Sequence, residues 1–463
     1  MKTLLIQPGY EGSIATPPLG LGYIASTLEA NGNEVHLIDL TKNPLTHEIL
    51  NQKVAAIEPE IVGISLMSRA LIKVRKLVSA LREVTDVPIV LGGPQPSIIP
   101  EYTLEQTNAE FAVMGEGEIT ITELVQTLQK GKNQFNKIAG LAFKGEKGKI
   151  HVNPPRKLIE NLDDISFPAW HLMLPKSYDY KPVLSTAKAF PIAQMITTRG
   201  CPYKCNFCGG HAIWGRTFRR RSPRNVVDEM QLLIEKYGVS EIFFCDDNFT
   251  LGRTHAAEVC NEIIRRGIDI FWACPNGVRI DHLDKDLLRL MRKAGCHSLG
   301  FGIESGNQSI LDRANKNLDL KKVRQVLSNA HNEGITTYGF FILGLIGETP
   351  ATIRQTINFA KELPLDRAWF NILIPFPGTE VFDLFIRNQC LEDLNWDEID
   401  SSTGMITTGI EYESLTADDL VRWQRKAVRE FYARPRILFN VLKTLSFGGL
   451  KTLVHQSFFK RLF

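Results

Sequence analysis

The chain has 463 residues, of which 44% are hydrophobic and 23% are charged. This length is too great for one ordinary hydrophobic core, and the composition suits a globular protein of two or three packed units. No uncharged apolar run approaches the ~20 residues that a bilayer-spanning helix needs, so the sequence predicts no integral membrane protein.

The formal net charge of +3 is unevenly distributed along the chain. Residues 431–463 carry six Lys or Arg and no acidic residue. Residues 1–430 therefore hold 48 of the 54 basic residues and all 51 acidic ones, which gives them a net charge of −3. The eight cysteines follow no secretion signal, because a strand-like run over Thr3–Ile6 begins almost at once. We therefore expect a protein of a reducing compartment, the cytoplasm.

Residues 1–135 are predicted to form the first domain, because short apolar runs alternate there with amphipathic stretches. This βαβ rhythm indicates a doubly wound parallel sheet, with ligands bound outside the carboxyl ends of the strands. The predicted strands lie near Leu4 and over Val35–Ile38, Ile61–Ser65, Ile89–Leu91 and Phe111–Val113.

The carboxyl ends of these strands are rich in glycine and small hydroxyl residues. They comprise Pro8–Gly22, Ser65–Ser68, Gly92–Pro94 and Gly115–Glu118. Glycine lets the backbone approach a bulky ligand, although the same glycines can simply turn the chain. The sequence has no Gly-x-Gly-x-x-Gly after the first strand and no Walker Lys-Ser/Thr pair, which disfavours dinucleotide and P-loop sites.

These loops resemble those of cobalamin-binding domains of the flavodoxin-like kind, which hold the nucleotide tail of the corrinoid on a Ser-x-x-Ser loop and a Gly-Gly turn. The resemblance implies that cobalamin contacts Ser65, Ser68, Gly92, Gly93, Gly115 and Glu116. Residues 8–19 contain neither Asp nor His, so cobalamin would be bound without a protein histidine on the cobalt. A domain that has lost its cofactor is the alternative, since fold analogy alone proves no ligand.

Residues 136–190 read as an ordered linker that contains a β-hairpin. The hairpin is predicted over Gly140–Val152, and proline-rich stretches follow at Asn153–Pro155 and Phe167–Trp170.

Residues 191–384 repeat a strand–helix pattern six times, which predicts a partial (β/α)6 barrel of the TIM type. The predicted strands are Ala193–Thr197, Glu241–Cys245, Ile268–Ala273, Ser298–Ile303, Thr337–Leu343 and Ala368–Ile374. Reactive groups of such barrels sit at the carboxyl ends of the strands. Those ends read Asp246–Asn248, Pro275–Gly277, Glu304–Gly306, Gly344–Glu348 and Pro375–Thr379.

Cys201, Cys205 and Cys208 form a Cys-x3-Cys-x2-Cys triplet just after the first barrel strand. A [4Fe-4S] cluster normally takes four thiolates, so three suit a cluster whose fourth iron binds a small molecule. The alternative is a structural zinc site with His211 as fourth ligand. We assign no chemistry to the five isolated cysteines Cys245, Cys260, Cys274, Cys296 and Cys390.

Together the triplet and the barrel ends resemble the radical S-adenosylmethionine (SAM) superfamily, and residues 1–380 resemble its subgroup with a cobalamin-binding domain. The resemblance implies that the three cysteines hold the cluster and that Phe207 lies beside the adenine. It further implies that Asp246 and Asp247 face the methionine ammonium, that Glu304 and Ser305 face the ribose or methionine part, and that Ile342–Gly347, including Gly344, backs the adenine.

Structural roles compete with several of these assignments. Asp247 can cap the following helix instead of binding a ligand, and Asp246 is therefore the stronger candidate. Glu348 precedes an apparent helix start at Thr349–Pro350, where capping is expected. Arg219–Arg221 can form a solvated face or contact an anionic group.

The function implied by the resemblance is methyl transfer to an unactivated carbon of a small-molecule or lipid-like substrate, through a 5′-deoxyadenosyl radical. An electron donor such as flavodoxin or ferredoxin is implied as partner.

No cysteine precedes Cys201, so a second cluster for sulfur insertion has no obvious ligands. Cyclisation or rearrangement within the same subgroup stays open, as does a non-catalytic corrinoid- or zinc-binding module. We assign no residue as a catalytic proton donor or acceptor.

Residues 385–463 are predicted to be mainly helical. Thr416 and Asp419 resemble a capping box at the start of a helix that ends near Ala433. The basic, apolar tail beyond it can lie on an anionic membrane surface or pack on the barrel with its bases solvated. Nucleic acid is disfavoured, because aliphatic rather than base-stacking aromatic residues separate the bases.

Overall fold

The computed structural model describes residues 1–9, 16–41, 47–178, 187–387, 399–400, 405–406 and 415–437. The chain divides into two compact units. The first comprises Met1–Tyr180 and Gly209–Arg219, and the second comprises Lys181–Cys208 and Arg220–Phe463. The segment that directly follows Cys208 therefore belongs to the first unit.

The first unit is built on a seven-stranded sheet with the order β2-β1-β3-β4-β5-β6-β7. Its strands are β1 (Lys2–Gln7), β2 (Glu34–Asp39), β3 (Ile61–Ser65), β4 (Ile89–Gly92), β5 (Phe111–Val113), β6 (Leu141–Lys144) and β7 (Ile150–Val152). The first five strands are parallel, which confirms the predicted α/β fold. Strand order reverses between β1 and β3, the kind of switch point at which such sheets bind ligands.

The helices of the first unit are α1 (Leu19–Ala30), α2 (His47–Ile57), α3 (Leu71–Arg82), α4 (Pro94–Ile98), α5 (Pro100–Gln106), α6 (Gly117–Gln129) and α7 (His211–Trp214). Helices α1 and α6 pack on the sheet through a core that includes Leu28, Leu124 and Phe143. Strands β6 and β7, which lie in the predicted linker, extend the sheet in the antiparallel direction.

The second unit contains a six-stranded parallel sheet with the order β8-β11-β12-β13-β14-β15. These strands are β8 (Ile192–Met195), β11 (Glu241–Phe244), β12 (Phe271–Val278), β13 (Cys296–Glu304), β14 (Thr336–Leu343) and β15 (Arg367–Ile372). Six consecutive parallel strands confirm the predicted partial barrel. Four two-residue strands complete the set: β9 (Thr198–Arg199), β10 (Arg219–Arg220), β16 (Ile399–Asp400) and β17 (Met405–Ile406).

The helices of the second unit are α8 (Pro223–Tyr237), α9 (Arg253–Arg265), α10 (Lys285–Lys293), α11 (Gln308–Arg313), α12 (Leu320–Asn332), α13 (Pro350–Glu362), α14 (Glu380–Arg387) and α15 (Ala417–Tyr432). One strand differs from the prediction, since β12 continues through Pro275–Gly277 instead of ending before it. The register of β12 shifts between Cys274 and Val278. An irregular strand of this kind keeps pairing past residues that otherwise signal a turn.

Helix α15 covers the edge strand β15. The side-chain amide of Gln424 donates to the carbonyl of Phe370 at 2.7 Å, and the Tyr432 hydroxyl donates to the carbonyl of Ala368 at 3.0 Å. The predicted capping box of Thr416 and Asp419 is confirmed at the start of this helix. The C-terminal helix thus occupies the sheet edge that would otherwise stay unpaired.

In the part of the chain that the structure describes, no helix combines the length and the apolar character needed to cross a bilayer. The tail beyond Ile437, on which the expectation of membrane contact depends, lies outside the described residues.

Candidate functional site

The three triplet cysteines lie on the loop that follows β9. Cys201 and Cys205 are half-buried, and Cys208 is exposed. Burial raises the pKa of both Cys201 and Cys205, and the charge of Cys208 acts on Cys201 while that of Cys201 acts on Cys205. The three thiols therefore share one neighbourhood. Across the described ranges no group of three or more His, Cys, Asp or Glu side chains is placed to hold a metal ion, so the thiols do not converge on a single ion.

Asp246 fixes the turn between β8 and β9, just before the cysteine loop. Its Oδ1 accepts hydrogen bonds from the backbone N–H groups of Thr197 at 2.9 Å and Thr198 at 2.5 Å, and from both threonine hydroxyls. The residue is only 2% exposed. Burial raises the pKa of Asp246 to about 6, although these hydrogen bonds act in the opposite direction. Asp246 therefore positions the loop through Oδ1, while its Oδ2 is buried and has no hydrogen-bond partner among the described residues. The contact of Asp246 with the methionine ammonium stays a prediction.

Arg221 holds the same turn from its other side. Its backbone N–H donates to the carbonyl of Thr197 at 2.9 Å, and its guanidinium donates to the carbonyl of Ile196 at 3.0 Å. The guanidinium also pairs with the buried carboxylate of Glu229 at 2.5 Å. The interpretation that Arg219–Arg221 contacts an anionic group such as a carboxylate is confirmed, because each of the three arginines pairs with a glutamate. The alternative of a solvated face is wrong for Arg219 and Arg221, which are buried.

Asp247 differs from its neighbour because its side chain is accessible to solvent. Enough protein surrounds it that burial still raises its pKa, and its charge acts on the Cys201 thiol. Both observations fit a carboxylate that is partly surrounded by protein and still reaches water. The alternative that Asp247 caps the next helix is wrong, since α9 begins at Arg253 with Gly252 at the N-cap.

Glu304 ends β13 in a strained backbone conformation, with a φ of +67°. Its carboxylate pairs with the ammonium of Lys316 at 2.8 Å, and both residues are buried. A Cβ at Gly302 would stand 2.7 Å from the Glu304 Oε1, so a glycine is needed there to admit the pair. Both charges act on the Cys205 thiol. Strain of this kind persists mainly at functional sites, where surrounding contacts compensate for it.

Ser305, in contrast, is occupied by structural contacts. Its hydroxyl lies 3.1 Å from the Thr356 hydroxyl and accepts the backbone N–H of Asn307 at 3.2 Å. The side chain is fully buried. These bonds give Ser305 a role in joining the end of β13 to α13.

Phe207 packs against an apolar cluster that includes the loop after β14. The cluster consists of Ile310, Ala314, Leu345, Leu373, Ile374, Val381 and Phe385, with Phe207, Ile342, Ile346, Phe376 and Phe382 packed at its border. The structure therefore brings Phe207 together with the Ile342–Gly347 segment, as the resemblance implies. An apolar border of this kind suits the flat face of a base.

The loop after β14 is closed by Glu348. One of its carboxylate oxygens accepts the backbone N–H of Gly344 at 2.6 Å and of Leu345 at 3.3 Å. The expected capping role is wrong, because Thr349 is the N-cap of α13 and Glu348 bonds backwards to the loop. Burial raises the pKa of Glu348 to about 8, although the two N–H groups act in the opposite direction.

The predicted cobalamin residues lie at the carboxyl ends of β3, β4 and β5 in the first unit. A Cβ on Gly92 would meet no atom within 4 Å, whereas one on Gly93 would stand 3.0 Å from the carbonyl oxygen of Leu66. Gly93 has a φ of +109°, which only glycine adopts readily. Ser65 is half-buried and Ser68 is buried.

Gly115 and Glu116 follow β5. Gly115 has a φ of +69°, and its N–H donates to the Ser97 hydroxyl at 2.9 Å. The Glu116 carboxylate pairs with the buried guanidinium of Arg219 at 2.8 Å and accepts the backbone N–H of Ile159 at 2.8 Å. These contacts hold the 209–219 segment within the first unit and commit the Glu116 carboxylate to a structural ion pair.

Sequence reasoning missed Gln95, which follows the Gly92–Pro94 turn in α4. The residue is 0% exposed, and among the described residues neither its side-chain oxygen nor its side-chain nitrogen has a hydrogen-bond partner. Leaving a buried amide unpaired costs about 1–3 kcal/mol. An unpaired polar group beside the glycine turn is the kind of feature that a bound polar ligand satisfies. No local pattern signals it, because Gln is common on helices.

Two further residues at the cysteine loop were also missed: Lys316, described above, and Arg279. Arg279 follows β12 and is 6% exposed, and its charge acts on both Cys201 and Cys205. The sequence gives only a weak signal for them. Each is a single basic residue that follows a strand or helix, and the sequence does not fix where that strand or helix ends.

Comparisons with known proteins agree with this architecture. Residues 195–360 match the radical SAM superfamily, and residues 14–125 match the B12 binding domain. An uncharacterized methyltransferase of Pyrococcus horikoshii is 33% identical over 448 residues, which cover 95% of this chain and 94% of the relative. The anaerobic magnesium-protoporphyrin IX monomethyl ester cyclase of Rubrivivax gelatinosus is 30% identical over 392 residues, covering 82% of this chain and 69% of the cyclase.

Among the solved structures that share the fold over most of the chain is the radical S-adenosylmethionine methyltransferase TsrM from Kitasatospora setae, with cobalamin and a [4Fe-4S] cluster bound. The TM-score is 0.69 at 24% sequence identity, and the match covers 84% of this chain and 75% of that one. At this identity the likeness concerns the fold.

The pH dependence of stability tests the arrangement at Glu348. Its pKa is about 8 in the folded chain against 4.5 for an ordinary glutamate, so the folded state holds the proton more tightly. The stabilising contribution is complete below pH 4.5 and is lost as the pH rises through about 8. We expect the free energy of unfolding of the wild type to fall over this interval relative to Glu348→Gln, by about 1.4 kcal/mol per pKa unit.

Urea unfolding between about pH 5 and pH 9 measures the effect. Glu362→Gln is the matched control, because Glu362 is an exposed residue at the end of α13, the helix that follows Glu348. Parallel pH profiles for the wild type and Glu348→Gln would contradict the buried, protonated carboxyl.

Proposed function

The chain belongs to the radical S-adenosylmethionine superfamily and carries a B12-binding domain, and we propose that it is a cobalamin-dependent radical enzyme that transfers a methyl group to an unactivated carbon. The observation that carries the proposal is the match to a methyltransferase along 95% of this chain and 94% of the relative. A match of that extent includes both units. The radical unit and the B12-binding unit therefore occur together in the relative as well.

The three cysteines have the donor chemistry of an open-corner cluster. Thiolates are the ligands of [4Fe-4S] clusters, and Cys201, Cys205 and Cys208 supply three from one loop. Asp246 and Arg221 hold the turn that leads into this loop, so the backbone before Cys201 is fixed in advance. A pre-positioned loop lowers the entropy cost of gathering the three ligands around the cluster.

The residues around the loop have the charges that the methionine moiety of SAM requires. Asp247 offers an accessible carboxylate to an ammonium group. Phe207 and the loop around Gly344 offer an apolar border to the adenine. Glu304, at the end of β13, faces the ribose or methionine part of SAM in this proposal. When bound together, the cluster and SAM supply the 5′-deoxyadenosyl radical, and the protein contributes orientation and exclusion of water.

Cobalamin fits the first unit on two observations. Gly92 has open space where a side chain would stand, and Gly93 has a positive φ that turns the backbone. The buried side-chain amide of Gln95, two residues further on, lacks a hydrogen-bond partner among the described residues. Ser65 and Ser68 stand at the end of the neighbouring strand β3. Methylcobalamin would supply the methyl group. Glu116 is left out of this contact set, because its carboxylate already pairs with Arg219.

A second candidate function is oxidative cyclisation. The relative from Rubrivivax gelatinosus is named a cyclase, and its identity of 30% is close to that of the methyltransferase. For either reaction we propose a small-molecule or lipid-like substrate and an external one-electron donor such as flavodoxin or ferredoxin.

Metal analysis of cysteine variants tests the cluster. Anaerobically reconstituted wild type should hold about four iron and four sulfide per chain. Cys205→Ala should lose the cluster, because two thiolates remain on the loop. Cys260→Ala is the control, since Cys260 is a buried thiol of helix α9 outside the triplet. Zinc in place of iron in the wild type would contradict the proposal.

Isotope transfer to cobalamin separates methylation from cyclisation and needs no added substrate. We expect reduced enzyme with cob(I)alamin and methyl-deuterated SAM to form trideuteromethylcobalamin, because the methyl group must be replaced after each turnover. Mass spectrometry measures the product, and the enzyme without cobalamin provides the blank. Release of 5′-deoxyadenosine with unlabelled cobalamin would favour the cyclase alternative.

Gln95→Leu should separate stability from cofactor binding. Removing an unpaired buried amide is expected to raise the free energy of unfolding of the cobalamin-free protein by about 1 kcal/mol or more. The same variant should retain less cobalamin on gel filtration, because the amide that the cofactor satisfies is gone. Gln52→Leu, at an exposed position of α2, controls for the added leucine. Wild-type retention by Gln95→Leu would exclude the amide as a contact.

A further inference from the structure

Arg279 is held almost completely by the chain that surrounds it. Its Nε donates to the Asp281 carboxylate at 2.7 Å. Its Nη2 donates to the carbonyl oxygens of Lys316 at 2.9 Å and Asn317 at 3.1 Å. A guanidinium fixed by this many bonds has one orientation, so the direction of its remaining N–H groups is set by the fold.

The guanidinium is stacked on the cysteine loop itself. Its central carbon lies 3.5 Å from the centroid of the Tyr203 ring, and Tyr203 stands between Cys201 and Cys205 in the sequence. The Tyr203 hydroxyl is 2.8 Å from the His282 Nε2, which anchors the far end of the ring. Contacts of this kind between a cation and an aromatic ring stabilise by about 0.5–2 kcal/mol.

One guanidinium nitrogen of Arg279 is left over. Its Nη1 is buried and has no hydrogen-bond partner among the residues that the structure describes. The charge of Arg279 acts on both Cys201 and Cys205, whereas that of Lys316 acts on Cys205 and is paired with Glu304. A buried, charged donor without an acceptor is costly, and the nearby sulfur ligands are anionic once they bind metal.

We propose that Arg279 is a positioning residue for the cluster, in which Nη1 donates a hydrogen bond to a sulfur of the cluster or of its cysteine ligands. The inference rests on the cluster assigned above. Hydrogen bonds to the sulfurs and nearby charge set the reduction potential of such clusters. Reduction by an external donor adds one electron and hence one negative charge, so the guanidinium stabilises the reduced form more than the oxidised form. Arg279 therefore raises the reduction potential.

A redox titration of the reconstituted cluster in the absence of SAM tests this. Dithionite is the reductant, and electron paramagnetic resonance measures the reduced cluster. Arg279→Gln should lower the ratio of reduced to oxidised cluster about tenfold at a fixed potential, which is about 59 mV for one electron. The control is Arg265→Gln, because Arg265 is a 68% exposed arginine of α9 paired with Glu262. The control should match the wild type.

A wild-type midpoint potential in cluster-loaded Arg279→Gln would overturn the inference. If that variant fails to load the cluster, Arg279→Lys decides. Lysine keeps the positive charge, but its single ammonium nitrogen cannot take the place of Nη1 while it also binds the partners of Nε and Nη2. A lowered potential in Arg279→Lys supports the inference, and an unchanged one overturns it. A shift that appears only after SAM is added identifies the SAM carboxylate as acceptor and also overturns it. Absence of a cluster from the wild type would instead remove the proposed function.

Discussion

The turn over Ile196–Thr198 is the constraint on which the site depends, because the cysteine loop leaves the barrel through it. Asp246 gathers the two threonine N–H groups and hydroxyls on one carboxylate oxygen, and Arg221 binds the carbonyls on the other side. Both groups are buried, so their desolvation is compensated only while the turn keeps this geometry. The backbone at the base of the loop is thus held by charge, and the loop itself is held by the stacking of Arg279 on Tyr203.

The buried cations near the cysteines are paired with carboxylates. Lys316 is neutralised by Glu304, and Arg279 is neutralised by Asp281. The charges of Lys316 and Arg279 both lower the pKa of the Cys205 thiol, against the larger effect of burial. The strained backbone of Glu304 belongs to the same arrangement, since the residue must turn its carboxylate to Lys316 at the end of β13. A cost of about 1–3 kcal/mol for such a conformation is acceptable where an ion pair compensates for it.

The fold and the triplet were predictable from the sequence because their signals are local. Alternating apolar and amphipathic runs gave both parallel sheets, and the cysteines stand within eight consecutive positions, from Cys201 to Cys208. Which of Asp246 and Asp247 is buried was not predictable, because it depends on which way the chain turns after β11. The sequence carried no signal for the partners of Glu116 or Asp246 either, since Arg219 and Thr198 lie 103 and 48 residues away from them. Tertiary contact, not local pattern, decides those roles.

The two aspartates that follow β11 differ in their exposure and in their contacts. Asp246 is buried and binds Thr197 and Thr198 through one carboxylate oxygen, whereas Asp247 is accessible and its charge acts on Cys201. In the described part of the second unit no cation pairs with Asp247, while Glu304 and Asp281 already have theirs. Asp247 is therefore the accessible acid at the end of β11. An accessible acid whose charge acts on the Cys201 thiol is the electrostatic feature on which the proposed contact with the SAM ammonium rests.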